Sequence, residues 1–402
     1  MINALRTPQD YSFTGNPIVF LLETTSDRMD FEVVVSGKST KLSLIAYQVA
    51  DFEMFPNRVR LDVSDIVHAF IEDQILTVTK GDIIHSVENF AFDCIVQFSD
   101  GQIVGSNFFK VFRGGISNEA ISKLVAANRN MFTYRFNNPV YNPLFTTRTN
   151  GHHIILRETE LYPFIFIHPG TPISFVTITG RIITQAALAE GTICSIDFEA
   201  VRQMFAGLYG ELPSYIVVQF DQEFSFDLTI KPAQITEERC QLLFRNSLGS
   251  FEVIDVTGKK YDTPEFSEEN LWQTLNENDY FEENRDRLTV RQKIEVESGF
   301  KKKDELNFIQ DLIASDAIYC IDGDRQFRCL VTVDKVKVAR KMVSPNSIPL
   351  VIREITDEQF HSPDIDFSFP DSHPLANITR AVDDRINGSG LVYGDDKFLY
   401  AD

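Results

Sequence analysis

The chain has no long apolar run. No stretch of its 402 residues approaches the roughly 20 that a membrane-spanning helix needs. The opening MINALRTPQDYSF holds no apolar segment of a secretory leader. The expectation is a soluble protein made in the cytoplasm, with no membrane insertion. Cysteine is scarce and unpatterned: Cys94, Cys194, Cys240, Cys320 and Cys329 form an odd set without a CxxC, each inside an apolar, strand-like run. Such a set predicts buried free thiols rather than a disulfide framework. Tryptophan is nearly missing, with Trp272 alone against 34 Phe. Positive charge is short as well: 38 Lys and Arg face 58 Asp and Glu, for a net charge of −20, and the longest basic run is Lys301 to Lys303. Nucleic-acid phosphate would be repelled, so no nucleic acid is expected as a partner.

Catalytic signatures are missing too. GxSxG, Walker A, a GxGxxG after a strand and HExxH are all absent. His68 lies beside Val67 in a short helical stretch. His152 and His153 are adjacent on a predicted strand, so they face opposite ways and cannot easily share a metal. His168 precedes Pro169-Gly170 and reads as a turn residue. His361 and His373 bracket Asp364, Asp366 and Asp371, a grouping that could bind a metal but reads more simply as an acidic, Pro-broken tail. Asp322-Gly323-Asp324 lacks the other oxygen ligands of a calcium loop and reads as a hairpin turn. With 58 carboxylates a hydrolase pair is easy to imagine, and nothing selects one. No catalytic, cofactor-binding or metal residue is assigned, and no cofactor is implied.

What the chain does have is strands. IVFLLE, FEVVVS, KLSLIAY, FAFDCIVQF and NFFKVF are β-branched or aromatic runs cut by turn residues. Between them, VRLDVSDIVHAFI places Val63, Ile66, Val67 and Phe70 at helical spacing, predicting a helix over 63–71 that Asp62 or Ser64 can cap. CSIDFEAVRQMFAGL repeats it: Leu61 matches Ile196, Asp62 Asp197, Val63 Phe198, Ile66 Val201 and Phe70 Phe205, with His68 answered by Gln203. A matching strand follows each helix, IVQFSD and VVQFDQ. Asp62 to Val96 is thirteen residues longer than Asp197 to Val218, which predicts a loop insertion around 72–90. The expected fold is mainly β: multi-domain and β-sandwich-like, with a few short helices and the first two domains a tandem repeat.

The predicted order is a first sandwich-like domain at 1–115, then a linking helix and loop at 116–150. The helix SNEAISKLVAANR has Ser117 as its N-cap, and NNPVYNP breaks regular structure. A second sandwich-like domain covers 151–234, with its helix at 198–208. An α+β domain at 235–356 opens with a hairpin over 240–258, CQLLFRNSLGSFEVIDVTG, in which Gly249 serves the turn and Arg245 and Glu252 could pair across it for about 0.2–1 kcal/mol. Asp262 to Arg287, with nine acidic residues and two Arg, reads as a solvated face or inserted loop. LTVRQKIEVE reads as one strand. A helix over 304–315 follows, with Leu306, Ile309, Leu312 and Ile313 on one face and Asp304 at its start. Strands AIYCID, QFRCLVTV, KVKVARKM and PLVIREI come next, and 357–402 is an irregular tail.

SFTGNPIVFLLE, LDVSDIVHAF, FKVFRGG, LLFRNSLGSFEVIDVTG and ELNFIQDLIASDAIYCI, in that order, resemble tail-associated structural proteins of Bacteroidetes prophages and mobile elements. The resemblance covers about residues 1–355. It implies a non-enzymatic building block that assembles into a phage tail or tail-like particle, as a homo-oligomer in contact with other virion proteins. The alternative is a carbohydrate-binding or adhesin-like β-sandwich module. A carboxylate-based hydrolase is the third reading.

Overall fold

A computed structural model describes residues 2–8, 10–48, 57–71, 82–126, 143–148, 152–220, 225–233, 240–267, 271–275, 278, 280–299, 305–322, 325–333 and 347–356. The chain is mainly β. Its internal contacts divide it into two compact units. One comprises Met1–Ile154, Pro163–Thr229 and Asn246–Ser250; the other comprises Ile155–Tyr162, Ile230–Arg245 and Phe251–Asp402.

Both copies of the repeat fall in the first unit, apart from residues 155–162 and 230–231, which belong to the second. The first copy runs through β1 (Ile2–Arg6), β2 (Tyr11–Phe13), β3 (Val19–Thr24), β4 (Arg28–Val35), β5 (Lys38–Ile45), β6 (Tyr47–Gln48), β7 (Asn57–Asp62), α1 (Ser64–Ile71), β8 (Ile84–Ser86), β9 (Ala91–Ser99) and β10 (Val104–Phe112). Its sheets have the orders β1-β3-β7-β6 and β2-β10-β9-β4-β5. Strict alternation on β4 and β9 turns one side of the larger sheet inward. There Phe31, Val33, Cys94, Val96 and Phe109 share a core with Phe20, Leu22 and Val59 of the smaller sheet and Val67 and Ile71 of α1. This is a β-sandwich closed by a short helix.

After α2 (Asn118–Ala126), where Ser117 Oγ accepts the Ala120 N–H as the expected cap, the second copy follows. It comprises β11 (His153–Arg157), β12 (Phe164–Ile167), β13 (Ile173–Thr177), β14 (Ile182–Gln185), β15 (Ile193–Ile196), α3 (Phe198–Tyr209), β16 (Tyr215–Gln219) and β17 (Ser225–Lys231). The order β10-β9-β4-β5 recurs as β17-β16-β13-β14, and β3-β7-β6 recurs as β12-β15-β8. Asp62 and Asp197 each accept the backbone N–H two residues on, at the start of the helix. Asp62 Oδ1 accepts the N–H groups of Ile18 and Ser64, both at 3.0 Å; Asp197 Oδ1 accepts those of Glu199 at 2.9 Å and Ala200 at 3.2 Å. A cap of this kind is worth about 1 kcal/mol.

The recurrence carries one surprise. The slot beside β7 is filled by the first copy's own β6, whereas the slot beside β15 is filled by β8, which comes from the first copy's insertion. Ile84, His85 and Ser86 pair with Ile196, Ser195 and Cys194, and flanking bonds from Asp197 N to Ile83 O and from Val87 N to Ile193 O extend the ladder. The insertion is thus more than the expected loop, although residues 72–81 lie outside the described residues. Three alternating residues are too few for a period to show.

The second unit holds β18 (Cys240–Arg245), β19 (Phe251–Val256), β20 (Lys260–Asp262), β21 (Glu265–Phe266), β22 (Leu271–Leu275), β23 (Phe281–Arg285), β24 (Val290–Arg291), β25 (Lys293–Glu297), α4 (Leu306–Ala314), β26 (Ile318–Asp322), β27 (Arg325–Thr332) and β28 (Pro349–Glu354). Seven strands form one sheet in the order β19-β18-β26-β27-β28-β25-β20. Phe308, Ile309 and Leu312 of α4 pack on it, with the Phe308 ring 5.1 Å from Phe244.

Three expectations need correction here. Arg245 does not pair with Glu252. In the hairpin register Phe244 opposes Glu252 and Arg245 opposes Phe251, so the two charges sit on opposite faces. Arg245 instead grips Asp316 with Nε and Nη2. The acidic segment is a solvated face, as expected, but not a loop, because the exposed strands β22 and β23 pair antiparallel within it. LTVRQKIEVE is two strands: β24 pairs with β21, and β25 with β20 and β28. Helix α4 starts at Leu306, behind Glu305, which makes no side-chain cap. Asp304, the NNPVY of the linker, KVKVARKM, and the tail 357–402 with its His and Asp grouping lie outside the described residues.

Candidate binding surfaces

The hairpin tip NSLGS is where a nucleophile could most easily have been suspected, and its geometry is that of a clasp. Asn246 Oδ1 accepts the N–H groups of Leu248 and Ser250, both at 3.0 Å, and its Nδ2 donates to Phe145 O at 2.9 Å. Ser247 O accepts the Gly115 N–H at 2.7 Å, and Gly114 O accepts that of Gly15 at 2.7 Å. The stretches SFTGN, FRGG and NSLGS thus meet backbone to backbone at glycines, where no side chain could fit.

Four of the described histidines likewise make hydrogen bonds within the fold. His68 Nδ1 lies 3.0 Å from Thr14 Oγ1, His152 Nδ1 2.9 Å from Ser225 O, and His153 Nε2 2.8 Å from Thr229 Oγ1. His168 is fully buried, and its Nδ1 accepts the Gly170 N–H at 3.1 Å; it organises the turn after it, as the sequence suggested, from inside the core. Burial holds its imidazole below the ordinary value. The unfolded chain therefore takes up the proton more readily than the folded one. The contribution of this site is present above about pH 6.5 and is lost as pH falls. Thermal melts at pH 7.5 and 5 are expected to differ less for His168→Gln than for the parent chain.

All five cysteines are buried free thiols. Burial pushes Cys94 up to about 12 and Cys194 up to about 11, and also raises Cys329; contact with Cys240, then burial, raises Cys320. A thiolate-selective reagent at pH 8 is expected to label none of them until denaturant is added, and then all five. Rapid labelling of the native chain would contradict this packing. Among the described residues no group of three or more His, Cys, Asp or Glu is placed to hold a metal ion, and no helix is long and apolar enough to cross a membrane.

Two exposed surfaces remain. The first is the outward face of β5, β4, β9 and β10. Arg28 Nε donates to Ser43 Oγ, which donates to Asp30 Oδ1, while Arg28 Nε lies 3.5 Å from Asp30 Oδ1. Lys41 Nζ lies 3.7 Å from Glu32 Oε1, and Lys110 Nζ 3.3 Å from Asp93 Oδ1. A depression of about 500 Å³ opens here, lined by Arg28, Asp30, Glu32, Lys41, Ser43 and Gln97 among others.

The second surface is the hairpin β22–β23, a sheet of only two strands. Leu271, Leu275 and Phe281 share one face with Gln273, Glu283 and Arg285; Trp272, Thr274, Glu282 and Asn284 share the other. Phe281 is 67% exposed, Leu275 60% and Trp272 43%. From the sequence this segment reads as a solvated face or inserted loop, because apolar Leu271 and Trp272 are adjacent and mask any alternation.

No protein-family model matches the sequence, and no curated protein matches it. Among the solved structures that match are two at 9% identity. One is invasin, a bacterial integrin-binding protein, over 74% of this chain and 57% of that one, with a TM-score of 0.18. The other is SGBP-B of the Bacteroides ovatus mixed-linkage glucan utilization locus, in complex with a mixed-linkage heptasaccharide, over 65% of this chain and 63% of that one, with a TM-score of 0.14. The chain spans less than two thirds of either, and likeness at this level assigns no activity.

Proposed function

We propose that this chain is a non-catalytic assembly protein that binds another protein through hairpin β22–β23, in the setting of a phage-tail-like particle. The observation that carries the reading is the exposed Leu275–Phe281 pair of that hairpin. Leu275 and Phe281 stand opposite each other, and they and Leu271, beyond Gln273 and Glu283, are each more than half exposed on strands that pair only with each other among the described residues. An exposed apolar pair framed by charge has the form of an interaction surface, and a two-stranded hairpin gains stability from a third strand or a covering surface. The segment around it is strongly acidic, which favours a partner with a basic rim around an apolar groove and disfavours a second copy of the same hairpin.

The test is mass measurement in solution with and without the products of flanking genes. A stable complex with one of them is expected, weakened at least tenfold by the double change Leu275→Ser and Phe281→Ser, with the melting temperature unchanged. A strict monomer that binds none of these products would end this reading.

A second reading, glycan binding by an adhesin-like or carbohydrate-binding module, is favoured by a different observation: the depression on the outward face of the first copy, where polar side chains stand beside Phe31, Leu42, Phe98 and Val104.

A further inference from the structure

Resting on that second reading, we propose that the outward face of β4, β5 and β9 is a binding cleft for a neutral oligosaccharide. The repeat supplies an internal comparison. In the first copy Glu32 stands opposite both Lys41 and Gln97. At the corresponding place in the second copy, Ser174 stands opposite both Thr184 and Gln219. Gln97 and Gln219 match, whereas the Glu32–Lys41 ion pair is replaced by a Ser174–Thr184 hydrogen bond of 2.9 Å. The same architecture therefore folds with two hydroxyls there, and folding does not call for the charges of the first copy.

Those charges are also balanced. Arg28, Lys41 and Lys110 are paired with Asp30, Glu32 and Asp93, so the face is neutral in a chain whose net charge is −20. A neutral face offers no Coulomb attraction to an anion or a cation. What it offers is hydrogen bonding: paired carboxylates keep lone pairs, paired cations keep N–H groups, and the exposed Gln97 amide has no partner among the described residues. Two polar rows cross the strands, Ser43-Asp30-Ser99 and Lys41-Glu32-Gln97, about 7 Å apart along them.

Ligands that present hydroxyls, each both donor and acceptor, on a carbon ring match such rows. Apolar contact for the C–H faces comes from Val104, which is 71% exposed and lines the depression together with Phe31, Leu42 and Phe98. The volume of about 500 Å³ lies in the usual range for ligand pockets, roughly 300–1,000 Å³.

The experiment is an array of neutral gluco-, galacto-, manno- and xylo-oligosaccharides, with uronic-acid and sulfated oligosaccharides beside them, followed by calorimetry on the best neutral probe. Two variants accompany it. Glu32→Ser with Lys41→Thr copies the second module's solution and should keep the fold; Gln97→Ala removes the free amide. Binding of a neutral probe, weakened at least tenfold by both variants at unchanged melting temperature, is the expected result. Binding to no glycan at all would remove the glycan reading and this proposal together. Binding to acidic glycans only would leave that reading standing and overturn the neutral cleft. Neutral binding untouched by both variants would also overturn it, since the site would lie elsewhere.

Discussion

Gly249→Val is expected to cost about 4 kcal/mol and to lower the melting temperature by roughly 10 °C. Two effects add. Gly249 has φ +85°, where a β-branched residue is strained, and a Cβ placed on it would stand 2.1 Å from Arg113 O. That neighbour is backbone on the β10 side of the clasp and cannot swing away. Gly37 separates the two effects. It has φ +80° with nothing within 4 Å of the place a Cβ would take, so Gly37→Val should show the conformational strain alone, about 1–3 kcal/mol. Equal losses at the two positions, measured by denaturant unfolding, would mean that the clasp is not packed as described.

Asp255→Ala carries the second large effect, about 3 kcal/mol. Asp255 is fully buried and sits in a polar knot at the three-residue helical turn Glu158–Glu160. Thr159 Oγ1 donates to its Oδ2, Gln241 Nε2 donates to its Oδ1 at 3.0 Å and to Thr159 O at 2.6 Å, and its own N–H is accepted by Glu160 Oε1 at 3.0 Å. Removing the carboxylate takes the acceptor from a buried hydroxyl and from one N–H of a buried amide. Thr159→Val removes one donor and keeps the shape, so it should cost much less. If the two variants melted alike, the knot would not depend on the carboxylate.

The sequence made the repeat visible because a helix with Asp before it and a strand of the form VQF after it are local patterns. Register between copies followed from Leu61 and Ile196 onward. Partners distant in sequence were not visible. Arg245 was matched to Glu252, seven residues away, when its carboxylate is Asp316, seventy-one residues away. No local rule reports that β18 lies between β19 and β26. The Asp255 knot was hidden for the same reason, since Thr159 and Asp255 are 96 residues apart. Hairpin β22–β23 was obscured by its own charge, because acidic residues on a two-stranded ribbon look the same in sequence as acidic residues in a loop. The neutral face was hidden inside the alternation of β4, where Asp30 and Glu32 were simply the outward half of a strand.

Strand β8 has a consequence for the order in which this chain can be made and cut. The sheet of the second copy is completed by residues synthesised more than a hundred positions before β15. During translation β8 therefore leaves the ribosome long before its seat exists, and the first copy can close without it. A fragment beginning at residue 151 would carry all the other strands of the second copy and still leave β15 with one side unpaired. The two halves of the repeat are alike in pattern, but the later half inherits a piece of the earlier one, and neither gene duplication nor truncation at the midpoint can separate them cleanly.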